Sequence, residues 1–408
     1  MILVFKTISN TFLLAALLGC LCCFSACGGK VITGTEAKPE PPKPKVPTSV
    51  PAWLGNASRN FYGTGPWSKD PLEVVWEFET KSISGRLHKD PWGGSSWPGQ
   101  PSVDERHVYF GSADGNLYCI DRHNGTLVWK FKTEDSLKAT PTIAGDRLIA
   151  SGLDHNIYCI NAHDGSLIWK YKTGFEVDCS AAVIDGRVYF GGEDGFFYAL
   201  NLADGALIYK TERLGSMEGS FSVDKGRAYI GTEQGDLFCL NLADGSTVWK
   251  ARIGADSDST PAVWDGFVFT AAENGVVYCF AQSNGELVWK YQATGGTAKE
   301  RSGIWASPIV ANGRVHIGSS NGYLYCLSAN KGEVIWRYKA RGPIWGTSPL
   351  VDGRLVFGDK AGWIHSVAAA DGTQISELKI GDNINATPAI LGGRIYIGAF
   401  NGKLYCLK

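Results

Sequence analysis

The chain has 408 residues, of which 44% are hydrophobic, 19% are charged and 51 are glycine. So much glycine excludes a largely helical protein, and the length allows two or three ordinary domains or one large repeat array. A formal net charge of −1 argues against electrostatic capture of nucleic acid or of an anionic bilayer.

The N-terminus reads as an export signal. "MILVFKTISNTFLLAALLGCLCCFSACGGK" holds one early lysine, a short apolar run, then small residues and cysteines. The run is too short and too early for an ordinary transmembrane span. Its end has the form of a lipobox, where a cysteine is lipidated and becomes the mature N-terminus. Leu17-Leu18-Gly19 leads to Cys20, and the alternative is Cys27, after Phe24-Ser25-Ala26. Plain secretion with cleavage near Ala26 is the other reading. Residues 1–27 are assigned to this signal region and 28–56 to a proline-rich tether. The stretch from Pro39 to Pro51 favours extended polyproline II, reaching on the order of 40 Å at about 3.1 Å per residue. Membrane contact is expected through the lipid alone.

The remainder, 57–408, is repetitive, and the repeat predicts the fold. Tyr118, Tyr158, Tyr198, Phe238 and Tyr278 stand forty residues apart, and Tyr325, His365 and Tyr405 continue the series after one longer step. Each unit reads as four short strands. A "TPAV"-like strand is followed by "RVYFG", then "LYCI", then "LVWKYK", with Asn-Gly and Asp-Gly dipeptides at the turns. Those dipeptides supply the positive φ that tight antiparallel hairpins need. The expected fold is all-β, an eight-bladed propeller of four-stranded antiparallel blades. The last unit ends at "GKLYCLK" without a fourth strand, whereas "LEVVWEFET", 72–80, is a fourth strand without a unit. Pairing of these N- and C-terminal strands should close the ring and remove its open edges.

Trp76, Trp129, Trp169, Trp249, Trp289 and Trp336 share one position in the unit, with Tyr209 and Ser376 in the other two copies. A residue used around a ring is architecture, an aromatic docked on the next blade, and truncating one should cost on the order of 3–5 kcal/mol. Six of the seven cysteines after the signal region, Cys119 among them, follow the third-strand aromatic, where Ala199 and Ser366 replace them elsewhere. The interchange with alanine predicts buried free thiols, spaced too far apart for disulfides. Arg147, Arg187, Arg227, Arg314, Arg354 and Arg394 also share one position and are expected to form a solvated basic rim.

The unit resembles the repeat of pyrroloquinoline-quinone (PQQ) enzymes over about residues 72–408. Two branches of that family carry it. Quinoprotein dehydrogenases hold PQQ and calcium in the central channel, with adjacent cysteines beneath the quinone. Here the adjacent cysteines, Cys22 and Cys23, lie in the export signal. The other branch consists of cofactor-free propellers such as the BamB-type lipoproteins of the outer-membrane β-barrel assembly complex. The lipobox, tether and eight blades resemble this branch. The resemblance implies a non-catalytic scaffold without cofactor or metal, at the periplasmic face of the outer membrane. Its implied partner is the barrel-forming subunit. A PQQ-dependent dehydrogenase and a ligand-binding receptor are the alternatives.

Function in a propeller resides where the loops depart from the repeat. The connections from outer strand to next inner strand carry the extra length, in "TKSISGRLHKDPWGGSSWPGQ" (80–100) and "ATGGTAKERSGIWA" (293–306), with a shorter "KARGPIWGTSP". They should bring Trp92, Trp97, Arg301, Trp305, Arg341 and Trp345 to one channel mouth, and tryptophan and arginine are enriched at interface hot spots. The family resemblance adds Asp256 and Asp258, an Asp-x-Asp before an inner strand that implies partner docking. The neighbouring "SMEG" departs from the family, with Met217 and Glu218 where an apolar residue and arginine are expected.

Overall fold

A computed structural model describes residues 47–69, 71–80, 100–294 and 303–408. These form eight four-stranded antiparallel sheets, and in seven of them each strand is hydrogen-bonded to the next in sequence. In blade one the strands are Ser102–Val103, His107–Gly111, Asn116–Asp121 and Leu127–Lys132. Blades two to seven repeat this meander.

Blade eight is composite: Val74–Glu79 pairs antiparallel with Lys403–Leu407, outside Arg394–Ala399 and Ala389–Leu391. Trp76 faces Cys406 as Trp129 faces Cys119 in blade one. The closure anticipated from the two orphan strands is present.

The repeated aromatics dock blade to blade. Trp76 donates its indole N–H to the Arg122 carbonyl at 3.0 Å, Trp169 to Leu202 at 2.9 Å, and Trp249 to Gln282 at 3.0 Å. Tyr209 makes the equivalent bond through its hydroxyl, 2.9 Å from the Leu242 carbonyl. Blade seven has Ser376 here, and the blade it faces is the composite blade eight. Its third and fourth strands belong to opposite ends of the chain, so no hairpin turn joins them. The third-strand tyrosine is also held in place: Tyr118 donates to Asp114, and Tyr158 to Asp154, each at 2.6 Å.

The arginine position is not a free rim. Arg147 donates to the Leu202 and Ala203 carbonyls at 2.6 and 2.9 Å, and Arg314 to those of Ala369 and Ala370 at 3.1 and 2.6 Å. Leu202 thus accepts from both Arg147 and Trp169, which join blade two to blade three. The seven cysteines of the described residues are buried and free.

Residues 50–67 run along the inner strands of all eight blades. Val50 bridges Val103 of blade one, and the Pro51 carbonyl accepts from Ile143 of blade two. The Arg59 guanidinium donates to the carbonyls of Ser180 and Phe221, at the entries to blades three and four. Trp53 donates to Thr260 of blade five, and the Tyr62 hydroxyl meets the Val310 backbone in blade six. Trp67 donates to the Val351 carbonyl of blade seven, and Thr64 to that of Ile390 in blade eight. The segment satisfies inner-edge groups that otherwise face the channel.

Candidate functional site

The loops entering the inner strands line an open cavity at one mouth of the channel. Two positions of the repeat build it. One is a hydroxyl belt in which each backbone N–H donates to the side chain of the next blade. Thr140 donates to Ser180 at 3.0 Å, and Ser180 to Ser220, Ser307 to Thr347 and Thr347 to Thr387 at 2.9 Å. These bonds use a serine or threonine hydroxyl each time, and they are structural.

Two residues earlier the side chains diverge. Lys138, Asp178, Glu218 and Asp258 precede blades two to five, Trp305 and Trp345 precede blades six and seven, and Asn385 precedes blade eight. All of them line the cavity, and Trp53 of the inner segment joins them. The mouth is therefore acidic on one side and aromatic on the other.

On the acidic side Lys138 pairs with Asp178 at 3.4 Å. Burial, and then the charges of Asp178 and Glu233, push the Glu218 carboxyl up to about 8. Glu193 is pushed up to about 9 by burial and by Asp178 and Glu218. Asp256 rises to about 6 from burial and Glu273, and Asp258, buried beside Glu218 and Asp256, is raised well above the ordinary range. Glu193, Glu218 and Glu233 each place one carboxylate oxygen within 4.8 Å of the others, a spacing compatible with a hard cation.

On the aromatic side Trp305 and Trp345 stack with centroids 4.5 Å apart. Trp305 donates to Glu273 at 2.7 Å and Trp345 to Ser320 at 2.9 Å, which fixes both rings. The Lys360 ammonium lies 3.4 Å from the Trp345 ring centroid, a cation–π arrangement.

Of the residues expected at this face, Asp258, Trp305 and Trp345 line the cavity, and Asp256 adjoins it through Asp258. Arg341 is engaged elsewhere, bonded to Glu377 at 2.6 Å and set over Trp363. Trp92, Trp97 and Arg301, with Cys20 and Cys27, lie outside the described residues. Sequence reasoning missed Lys138, Asn385 and Trp53. The forty-residue period would have found the first two, because both share the register of Glu218.

Residues 144–408 match the family model described as the β-propeller of the beta-alanine-activating enzyme, and residues 70–216 match that of outer membrane protein assembly factor BamB. The chain belongs to the PQQ-like β-propellers, and the first match, spanning more than half its length, places it in the family of the beta-alanine-activating enzyme propeller. No curated protein matches it.

Solved structures share the fold. A europium-containing methanol dehydrogenase aligns with TM-score 0.73 at 14% identity, covering 89% of this chain and 98% of that one. A quinohemoprotein alcohol dehydrogenase from Comamonas testosteroni aligns with TM-score 0.72 at 13% identity, covering 88% and 80%. BamB from Moraxella catarrhalis aligns with TM-score 0.55 at 16% identity, covering 83% and 99%.

The quinone of the dehydrogenase branch does not fit this lining. PQQ is a tricarboxylate and would face Asp178, Glu218 and Asp258, with Lys138 already paired to Asp178. Six of the seven cysteines of the described residues lie on third strands and Cys179 on the loop entering blade three; all are buried, and none lines the cavity.

Proposed function

We propose that this protein is a non-catalytic propeller scaffold that binds a protein partner through the channel-mouth face. The reading places it on a lipid anchor at Cys20, or Cys27, at the periplasmic face of the outer membrane, where it serves β-barrel assembly. The observation that carries it is the contrast between two repeat positions that stand two residues apart. The belt position is serine or threonine in seven of eight blades, with Gln100 in the other, whereas the position two residues before it differs in charge and size around the ring, as expected where a surface is specialised for one partner. The match of residues 70–216 to the BamB family supports the assembly role. The poor fit of a tricarboxylate quinone supports a scaffold over a dehydrogenase.

The test is cross-linking in native membranes followed by affinity recovery. Recovery of the barrel-forming subunit is expected. Alanine at both Trp305 and Trp345, or at both Asp256 and Asp258, should keep the fold, and at least one pair should weaken capture. Unchanged capture in both double variants, or PQQ with calcium raising the melting temperature, would overturn the reading.

A further inference from the structure

We propose that the channel mouth binds an alkylammonium group, seated on Glu218 and Asp258 with its carbon chain against the stacked indoles of Trp305 and Trp345. The inference rests on the mouth being a binding face, and it adds the chemistry of what is bound there.

Charge is the first argument. Glu218 and Asp258 occupy one repeat position on adjacent blades, and both line the cavity. The cation at that position, Lys138, forms its ion pair with Asp178 at 3.4 Å. Among the described residues no lysine or arginine pairs with Glu218 or Asp258. Two half-buried carboxyls facing one cavity with no ion pair of their own among the described residues favour a positively charged occupant.

The second argument comes from across the cavity. Asn385 is 1% exposed, and both its amide oxygen and its amide nitrogen lack a hydrogen-bond partner. A buried amide left unpaired is costly. Its oxygen accepts from an N–H donor, as the carboxylates do.

The third argument is the aromatic wall. Trp345 already holds the Lys360 ammonium 3.4 Å from its ring centroid. The apolar faces of the indole pair suit the methylene chain of an amine, and their quadrupole suits its charged end. Carboxylates, an amide acceptor and indole faces in one concavity make a receptor for a cation with an apolar stem.

The same group occurs in a free amine and in the lysine side chain of a partner, and the experiment separates them. The purified protein is titrated with n-pentylamine and with Nα-acetyl-lysine methylamide, followed by tryptophan fluorescence and melting temperature. The isosteric controls are 1-pentanol and pentanoate. At least one amine should saturate in the millimolar range or below and raise the melting temperature, while neither control does so. Preference for the lysine derivative identifies a partner's side chain, and preference for pentylamine identifies a free ligand. Glu218→Gln and Asp258→Asn should each weaken amine binding about tenfold or more, as loss of a charge-assisted hydrogen bond does.

Absence of binding by both amines would overturn the inference, as would equal binding of 1-pentanol or undiminished affinity in both variants. Each variant's own melting curve without ligand shows that it is folded. Recovery of the barrel-forming subunit from membranes is a separate readout, so the two proposals fail independently.

Discussion

Trp129, on the outer strand of blade one, donates its indole N–H to the Ala162 carbonyl of blade two at 3.0 Å. The same ring lies under Gly165, where an added Cβ would fall 2.7 Å from the indole, at φ +73°. Glycine is required there twice over, by backbone conformation and by space. We expect Gly165→Ala to destabilise the protein by about 1–3 kcal/mol and Trp129→Phe, which removes the hydrogen bond, by about 1 kcal/mol. Denaturant midpoints measure both.

Ser376 offers the converse test. Its neighbour, blade eight, has no hairpin turn to receive an indole. Ser376→Trp should therefore bring no gain in melting temperature, whereas Tyr209→Trp, which has the Leu242 carbonyl to reach, should be nearly neutral. A clear stabilisation by Ser376→Trp would show that docking does not depend on the turn.

The acidic side of the mouth should make stability depend on pH. Glu193 and Glu218 have folded values pushed up to about 9 and about 8, from 4.5, so the folded state holds more protons than the unfolded one between these limits. Their contribution is full below about pH 4.5 and is lost as pH rises through 8 to 9. The groups around them are Lys138, Glu176, Asp178, Glu233, Asp256, Asp258 and Glu273. The melting temperature should fall between pH 6 and pH 9, and Glu218→Gln should flatten that fall. An unchanged slope in the variant would place the dependence elsewhere.

The cysteines should be inert in the folded protein. Burial pushes the Cys119 thiol up to about 12 and that of Cys179 up to about 11, so thiolate is scarce at neutral pH. The soluble part from Gly28 onward should react with a thiol reagent at none of its seven cysteines when native and at all seven after unfolding. Four or fewer after unfolding would mean that disulfides form.

The fold was legible because it is written eight times, and each Asp-Gly turn and docking tryptophan corroborates the others. Closure followed from counting strands: Trp76 had no unit of its own, and the unit of Cys406 had no outer strand. The mouth was only half legible. Trp305 and Trp345 stood out through loops that depart from the repeat and Asp258 through the family resemblance, whereas Lys138 and Asn385 sit in loops of ordinary length and show themselves only in register with Glu218. The arginines misled because a charged residue near a turn is usually solvated. Their target, a carbonyl such as Leu202 on the next blade, has no signature in side-chain sequence. Trp53 and Arg59 were hidden for a different reason. Their partners, Thr260, Ser180 and Phe221, are more than a hundred residues away and follow no period.

The path of residues 50–67 sets an order in time. Val50 finds its bridge in the first blade to be made, yet Thr64 needs Ile390 and Trp67 needs Val351. Residues that leave the ribosome near the beginning are thus seated only when those made near the end have arrived. Arg59 has its carbonyls once Phe221 has been made, whereas Trp53, clustered with Val351, Ile390 and Ile395, has no dry surroundings until those last residues have arrived. Seating of the segment therefore reports that all eight blades have been assembled.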